Sequence, residues 1–212
     1  MNNYFSNKIV WLTGGSSGIG LALSSEFIKK GAIVVVSSRR STIDVIENNN
    51  KVNEIINNKN FHHIQMDVSK SDDVSESYQI IKQKYLTPDI LINNAGIGIF
   101  KPMLEMNYDE FDLMMNTNVR GVLNTIKQVI PDMQKKGSGT IINISSVATE
   151  EKFLGSSVYA ASKSAVRMMS KILREELRND NIKIIDVIPG ATATPIWNEK
   201  VLDKHGYKMM QP

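Results

Sequence analysis

An alternation restricts this chain more than any other pattern in it. Short β-branched runs recur between longer stretches with apolar residues at three- and four-residue steps, and that rhythm builds a parallel sheet covered by helices. The runs read as strands over Ile9–Thr13, Ile33–Ser37, His62–Met66, Ile90–Asn93, Thr140–Ser145 and Ile182–Ile188. Helices are expected near 18–30, 42–57, 71–85, 109–135 and 157–179, the last with Ala165, Val166, Met169, Ile172, Leu173 and Leu177 on one face. The Asn-rich stretch 47–60 stays helical in this reading because Val45, Ile46, Val52, Ile55 and Ile56 give it an apolar side. Right-handed crossovers then predict an α/β fold: a doubly wound, Rossmann-type parallel sheet in three α/β/α layers, with ligand at the carboxyl ends of the strands.

The chain has 212 residues, 42% hydrophobic and 22% charged, which is enough apolar material for one folded domain spanning 1–212. No repeat of solenoid period and no linker divides it. The net charge of +3 is spread along the sequence, so no basic stripe for nucleic acid is expected. The absence of cysteine excludes disulfides, thiolate metal sites and cysteine nucleophiles, and fits a reducing compartment. "MNNYFSNK" has no apolar leader core, and "AIVVV" (32–36) falls far short of a bilayer span of roughly 20 residues. A cytoplasmic location with no membrane contact is the expectation. His62 and His63 are adjacent and His205 lies in the tail, so no metal site is expected.

The first strand runs into "TGGSSGIG" (13–20) and then a helix. A glycine-rich turn before a helix N-terminus exposes backbone N–H groups at the positive end of the helix dipole, and both favour phosphate. The spacing is not that of the G-x-G-x-x-G fingerprint. It resembles instead the T-G-x-x-x-G-x-G cofactor loop of the short-chain dehydrogenase/reductase family, together with "NNAG" (93–96), Asn118, Ser146, Tyr159, Lys163 and "PG" (189–190). The likeness runs from about Lys8 to Thr194 and implies a nicotinamide dinucleotide. By that resemblance Gly14, Ser16, Ser17, Gly18, Ile19 and Gly20 form the turn and the phosphate contacts. Asn94, Ala95 and Gly96 lie beside the cofactor, Asn93 braces strands and loop, and Pro189, Gly190, Thr192 and Thr194 lie near the nicotinamide with Ile188.

Ser38 occupies the place where NAD-preferring relatives carry an acid for the adenosine ribose, and Arg39 and Arg40 follow. An acid would repel a 2′-phosphate and guanidiniums attract it, so NADP(H) is expected over NAD(H), with a solvated arginine pair as the alternative. Asp67, followed by Val68, resembles the residue that meets the adenine amino group, or it caps a strand end.

Tyr-x-x-x-Lys occurs three times, at Tyr4–Lys8, Tyr78–Lys82 and Tyr159–Lys163, and context alone selects the third. It opens a helix after a strand, has the small residues Ala160, Ala161 and Ser162 between its members, and has a serine thirteen positions upstream. Reducing a carbonyl requires a proton at the developing oxyanion. Tyr159 would supply it, with Lys163 at i+4 lowering the phenol's pKa. In the family the lysine also holds the nicotinamide ribose. Ser146 would bind the substrate oxygen, with Ser145 as rival, and Asn118 resembles the helix-interrupting asparagine of a proton relay, with Asn116 as its neighbour.

Family members continue past this point with a further helix and seventh strand, so the sequence reads as a fragment or a shortened variant; six strands are expected, and in a shortened variant the sixth is an exposed edge. The family's pairing helices, here 109–135 and 157–179, imply a homodimer, with a tetramer as the further option. Ile97, Ile99, Phe100, Met103, Phe153, Leu154, Ile196, Trp197, Met209 and Met210 suggest an apolar pocket for a small carbonyl or alcohol. The alternatives are a 3-oxoacyl-carrier-protein reductase, with Arg120, Arg167 and Arg174 docking an acidic carrier, and a non-catalytic NADP-binding sensor.

Overall fold

Strand β1 (Ile9–Thr13) lies mid-sheet between β2 (Ile33–Ser38) and β4 (Ile90–Asn93), and the parallel order is β3-β2-β1-β4-β5-β6. β3 is Phe61–Gln65, β5 is Gly139–Ile144 and β6 is Ile182–Val187. This computed structural model describes residues 4–41, 55–197 and 210–212. The expected helix 42–57 lies outside the described residues except at its end, where 55 and 56 are helical and Ile55 is buried. Among the described residues the sheet has six strands; the segment after β6 adds an isolated parallel bridge between Thr192 and Met210.

Alternation along each strand sends neighbouring side chains to opposite faces. Trp11, Val35, Leu91, Ile141 and Ile184 therefore enter one core, while Val10, Leu12, Val34, Val36, Ile90 and Ile92 enter the other. Helix α1 (Gly18–Lys29) covers the second face with Leu21 and Ile28. The first face is covered by α2 (Ser71–Tyr85), α4 (Gly121–Lys136) and α5 (Ser157–Glu176), through Val74, Tyr78, Ile81, Val122, Ile126, Val129, Met133 and Val166. Both sheet faces are thus buried, as an all-parallel sheet requires.

The helix expected over 109–135 is two helices joined by a π-turn: α3 (Tyr108–Met115), Asn116–Arg120, then α4. Its start comes earlier than expected because Asn107 and Glu110 form a reciprocal capping box. β6 forms one edge of the sheet, with Ile185 42% and Val187 40% exposed. Leu123 on α4 and Met168 and Ile172 on α5 are also exposed. Among the described residues, no helix is long and apolar enough to cross a membrane, and no group of three or more His, Asp or Glu could hold a metal.

Candidate active site

Strand order reverses at β1, whose neighbours lead off in opposite directions, and the crevice beyond the strand ends opens there. A cleft of about 550 Å³ fills it. The glycine turn walls one end, with Gly14 at φ 67°, a left-handed conformation that glycine adopts without penalty. Gly20 is not on the wall but beneath it: a Cβ there would stand 2.4 Å from the Gly14 carbonyl and 2.5 Å from Asn94 Nδ2. The turn is tied to the sheet by Gly14 N–H donating to the Ser37 carbonyl at 2.7 Å. Ser17, the residue before α1, makes no side-chain cap, so the first turn of the helix faces the cleft uncapped by its own N-terminal hydroxyl.

Asn94 has a different task from cofactor contact alone. Its Nδ2 donates to the Thr13 and Gly14 carbonyls at 3.0 Å each, and its N–H and that of Ala95 donate to Thr13 Oγ1 at 3.2 and 3.1 Å. The bracing of the loop expected of Asn93 thus falls to Asn94. Asn93 instead joins a buried chain in which its Nδ2 donates to Asn143 Oδ1, Thr125 Oγ1 donates to its Oδ1, and Asn143 donates to Ser170.

At the end of β2, Arg40 Nη2 donates to Ser16 Oγ at 2.7 Å and to the Ser16 carbonyl at 3.1 Å. Arg39 is exposed beside it on the cleft wall. Ser38 Oγ is hydrogen-bonded to His63 Nε2 at 2.8 Å, a contact with no signal in the sequence beyond the parallel register of β2 and β3. Burial lowers the His63 pKa, helped by the Arg40 guanidinium. No carboxylate stands among the described residues lining the cleft. Asp67 is not among the residues lining the cleft. Its Oδ1 accepts from Ser69 N–H at 2.9 Å and Ser69 Oγ at 2.7 Å, which makes it a cap for the turn into α2, while Met66 and Val68 line the cleft.

Ser146, Tyr159 and Lys163 meet on the inner wall, with Ser145 beside them. α5 brings Tyr159 and Lys163 to one face, and the strand end of β5 brings Ser146. Tyr159 is 8% exposed, and Lys163 is 6% exposed with its Nζ 6.0 Å from the Tyr159 ring. The ammonium donates to the Ile144 carbonyl at 2.8 Å. Burial lowers its pKa to about 8. Burial also pushes the Tyr159 phenol above 10.0, opposed by its hydrogen bond with Ser146. The expected acidification of the phenol by Lys163 is therefore not the dominant influence on it. Ser145 Oγ is buried with no hydrogen-bond partner, while Ser146 Oγ accepts from Ala148 N–H at 3.2 Å.

Asn118 is 1% exposed, at the centre of the π-turn and off the cleft wall. Its Oδ1 accepts from Ile97 N–H, and its Nδ2 donates to the Ile97 carbonyl and to Ser162 Oγ, all at 2.9 Å. Its side chain is thus a clamp between the β4 loop and α5. Gly96 runs past it, where an added Cβ would lie 3.3 Å from both Asn118 Oδ1 and Lys163 Nζ. Pro189, Gly190, Thr192 and Thr194 close the far side of the cleft, with Thr194 against Gly18.

The family model described as short chain dehydrogenase matches residues 8–205. This chain is a short-chain dehydrogenase. A protein described as an uncharacterized oxidoreductase of Staphylococcus saprophyticus is 36% identical over 207 residues, covering 96% of this chain and 81% of its own. Among solved structures, a 3-ketoacyl-(acyl-carrier-protein) reductase of Brucella melitensis, complexed with NADH, superposes with a TM-score of 0.87 at 28% identity, over 98% of this chain and 87% of that one. A gluconate 5-dehydrogenase of Burkholderia cenocepacia, in complex with NADP and tartrate, gives 0.85 at 28% identity, over 96% and 79%. This short-chain dehydrogenase is an oxidoreductase, and its glycine turn faces one cleft with Ser146, Tyr159 and Lys163.

Proposed function

We propose that this short-chain dehydrogenase is an NADPH-dependent carbonyl reductase, acting in reverse on CH–OH groups. The observation that carries the reading is the convergence of Ser146, Tyr159 and Lys163 on the cleft that the glycine turn walls. When bound, the nicotinamide cofactor supplies the hydride. Tyr159, whose phenol burial pushes further from ionisation, gives its proton to the carbonyl oxygen as charge builds there. Ser146 donates a hydrogen bond to the same oxygen. Lys163 places a positive charge one helical turn from the phenolate left behind. Asn118 acts on these groups by position, holding the β4 loop against α5.

Preference for the 2′-phosphate is supported by Ser38 in the acid's place, by the carboxylate-free wall and by the two arginines. Arg40 spends Nη2 on Ser16, and a guanidinium has five N–H donors, so donors remain for a phosphate. The whole chain acts as one cofactor-binding unit, pairing through α4 and α5 where Leu123, Met168 and Ile172 are exposed. A carrier-protein reductase is favoured by the Brucella neighbour, but Arg167 is paired with Glu150 at 2.6 Å and Arg174 donates to the Ile184 carbonyl, which weighs against the basic docking patch.

The test is a carbonyl panel with NADPH and NADH in parallel and Tyr159→Phe as control. The variant should lose about 10²–10⁴-fold in kcat while binding NADPH unchanged. Equal activity in the variant removes Tyr159 as proton donor, and a preference for NADH removes the arginine argument. Tight NADPH binding with no turnover of any carbonyl supports a sensor instead.

A further inference from the structure

Beside Tyr159 the cleft opens into a side recess of about 40 Å³. Its walls are aromatic and aliphatic: Phe100, Val147, Phe153, Leu154, Tyr159 and Trp197. Phe100 stacks on Trp197 with centroids 5.1 Å apart and 13° between the rings, and tilts against Tyr159 at 5.2 Å. Trp197 is pinned in place by Nε1 donating to the Thr192 carbonyl at 2.8 Å. Of the two serines on the wall, Ser156 is committed to the Phe153 carbonyl at 2.7 Å, which leaves Ser146 as the hydroxyl that faces a reacting oxygen.

No charged side chain lines this recess among the described residues. Of the described cations around it, Lys163 donates to the Ile144 carbonyl, Arg167 pairs with Thr149 and Glu150, Lys101 pairs with Glu110 at 2.6 Å, and Lys152, next to Phe153, is exposed and does not line the recess. A carboxylate or phosphate entering here would exchange its hydration for aromatic rings and meet no counter-charge on the described lining. A space of this size takes roughly three water-sized groups, or a short alkyl arm.

We propose that the substrate is a neutral carbonyl compound and that one of its arms is an apolar group of about three or four carbons seated in this recess. The inference rests on the carbonyl-reductase reading and adds the substrate class to it. The decisive pair is 4-heptanone against 4-oxoheptanedioate, because the diacid replaces the terminal methyl of both arms with carboxylate and so must bring a charge into the recess. With NADPH, kcat/KM should be at least about 100-fold higher for the neutral ketone. Phe153→Ala, which deepens the recess without touching the proton donor, should raise the ratio of kcat/KM for 5-nonanone over 4-heptanone about tenfold or more. NADPH binding, followed by its fluorescence, should stay within about twofold and reports that the variant is folded. Reduction of the diacid at the ketone's rate, or an unchanged chain-length ratio in the folded variant, overturns the recess assignment and leaves the reductase standing. Binding of NADPH with no reduction of any carbonyl, neutral or charged, overturns the reductase reading and this inference with it.

Discussion

Replacing Lys163 by Met should reveal the cost of keeping an ammonium inside the fold. The side chain is 6% exposed, and burial lowers its pKa from 10.5 to about 8. At about 1.4 kcal/mol for each tenfold change, that lowering amounts to about 3 kcal/mol of destabilisation by the charge, as an upper value. The hydrogen bond to the Ile144 carbonyl offsets about 1–3 kcal/mol of it and is lost in the variant. The folded state releases its proton near pH 8 and the unfolded chain only near 10.5, so the unfolded chain binds more protons in between. Wild-type stability therefore rises with pH across that window, whereas the Met variant has no such group to titrate. Below pH 8 the penalty is fully present and above 10.5 it is gone. The assay is urea unfolding of both proteins from pH 7 to pH 11, read as the difference between them so that the other lysines and tyrosines cancel. The wild type should gain up to about 3 kcal/mol on the variant across the series. A difference that stays flat within about 0.5 kcal/mol would mean that the ammonium is solvated in solution, and the argument from burial would fail.

Three further outcomes follow from the geometry. Arg40→Ala should raise the KM for NADPH about 10- to 100-fold and leave that for NADH within about threefold, as expected for loss of a charge-assisted contact, and parallel steady-state kinetics check it. Asn118→Ala strips partners from Ile97 N–H, the Ile97 carbonyl and Ser162, so chemical denaturation should show a loss of about 2–4 kcal/mol even though the residue is off the cleft wall. His62 and His63 are both held below the ordinary 6.5, chiefly by burial, so the unfolded chain binds more protons as pH falls through 6.5. Acidification from pH 7.5 to 5.5 should therefore lower Tm more in the wild type than in the His62→Gln, His63→Gln double variant.

The strands were legible because each β-branched run stands between turn-forming residues, and the structure moves their ends by only a residue or so, as at Gly139–Ile144 and Ile182–Val187. The motif positions likewise converge on one cleft, which Ser146, Tyr159, Lys163 and most of the glycine turn line. Hydrogen-bond commitments were less accessible. Asp67 accepts from Ser69 and Asn118 joins Ile97 to Ser162, partners that the fold chooses and a sequence does not display. The direction of the Tyr159 shift is hidden for the same reason: an i+4 lysine is visible in a sequence, and the burial that raises the phenol depends on packing with Phe100 and its neighbours. His63 stands in the sequence as one of a pair without metal spacing, and only the register of β3 against β2 brings it to Ser38.

The π-turn at Asn116–Arg120 sets the phase of everything after it. Each residue advances a helix by about 100°, so the widened turn determines which side of α4 meets the sheet. Deleting one residue there would close the i→i+5 turn to an ordinary i→i+4 turn and leave Val122, Ile126, Val129 and Met133 facing the strands, whereas closing it with every residue kept would swing them by about 100° and bring exposed Leu123 round in their stead. Loss of a single residue in this stretch is consequently a local event, whereas a change that straightens the turn with all five residues in place turns the whole core face of α4.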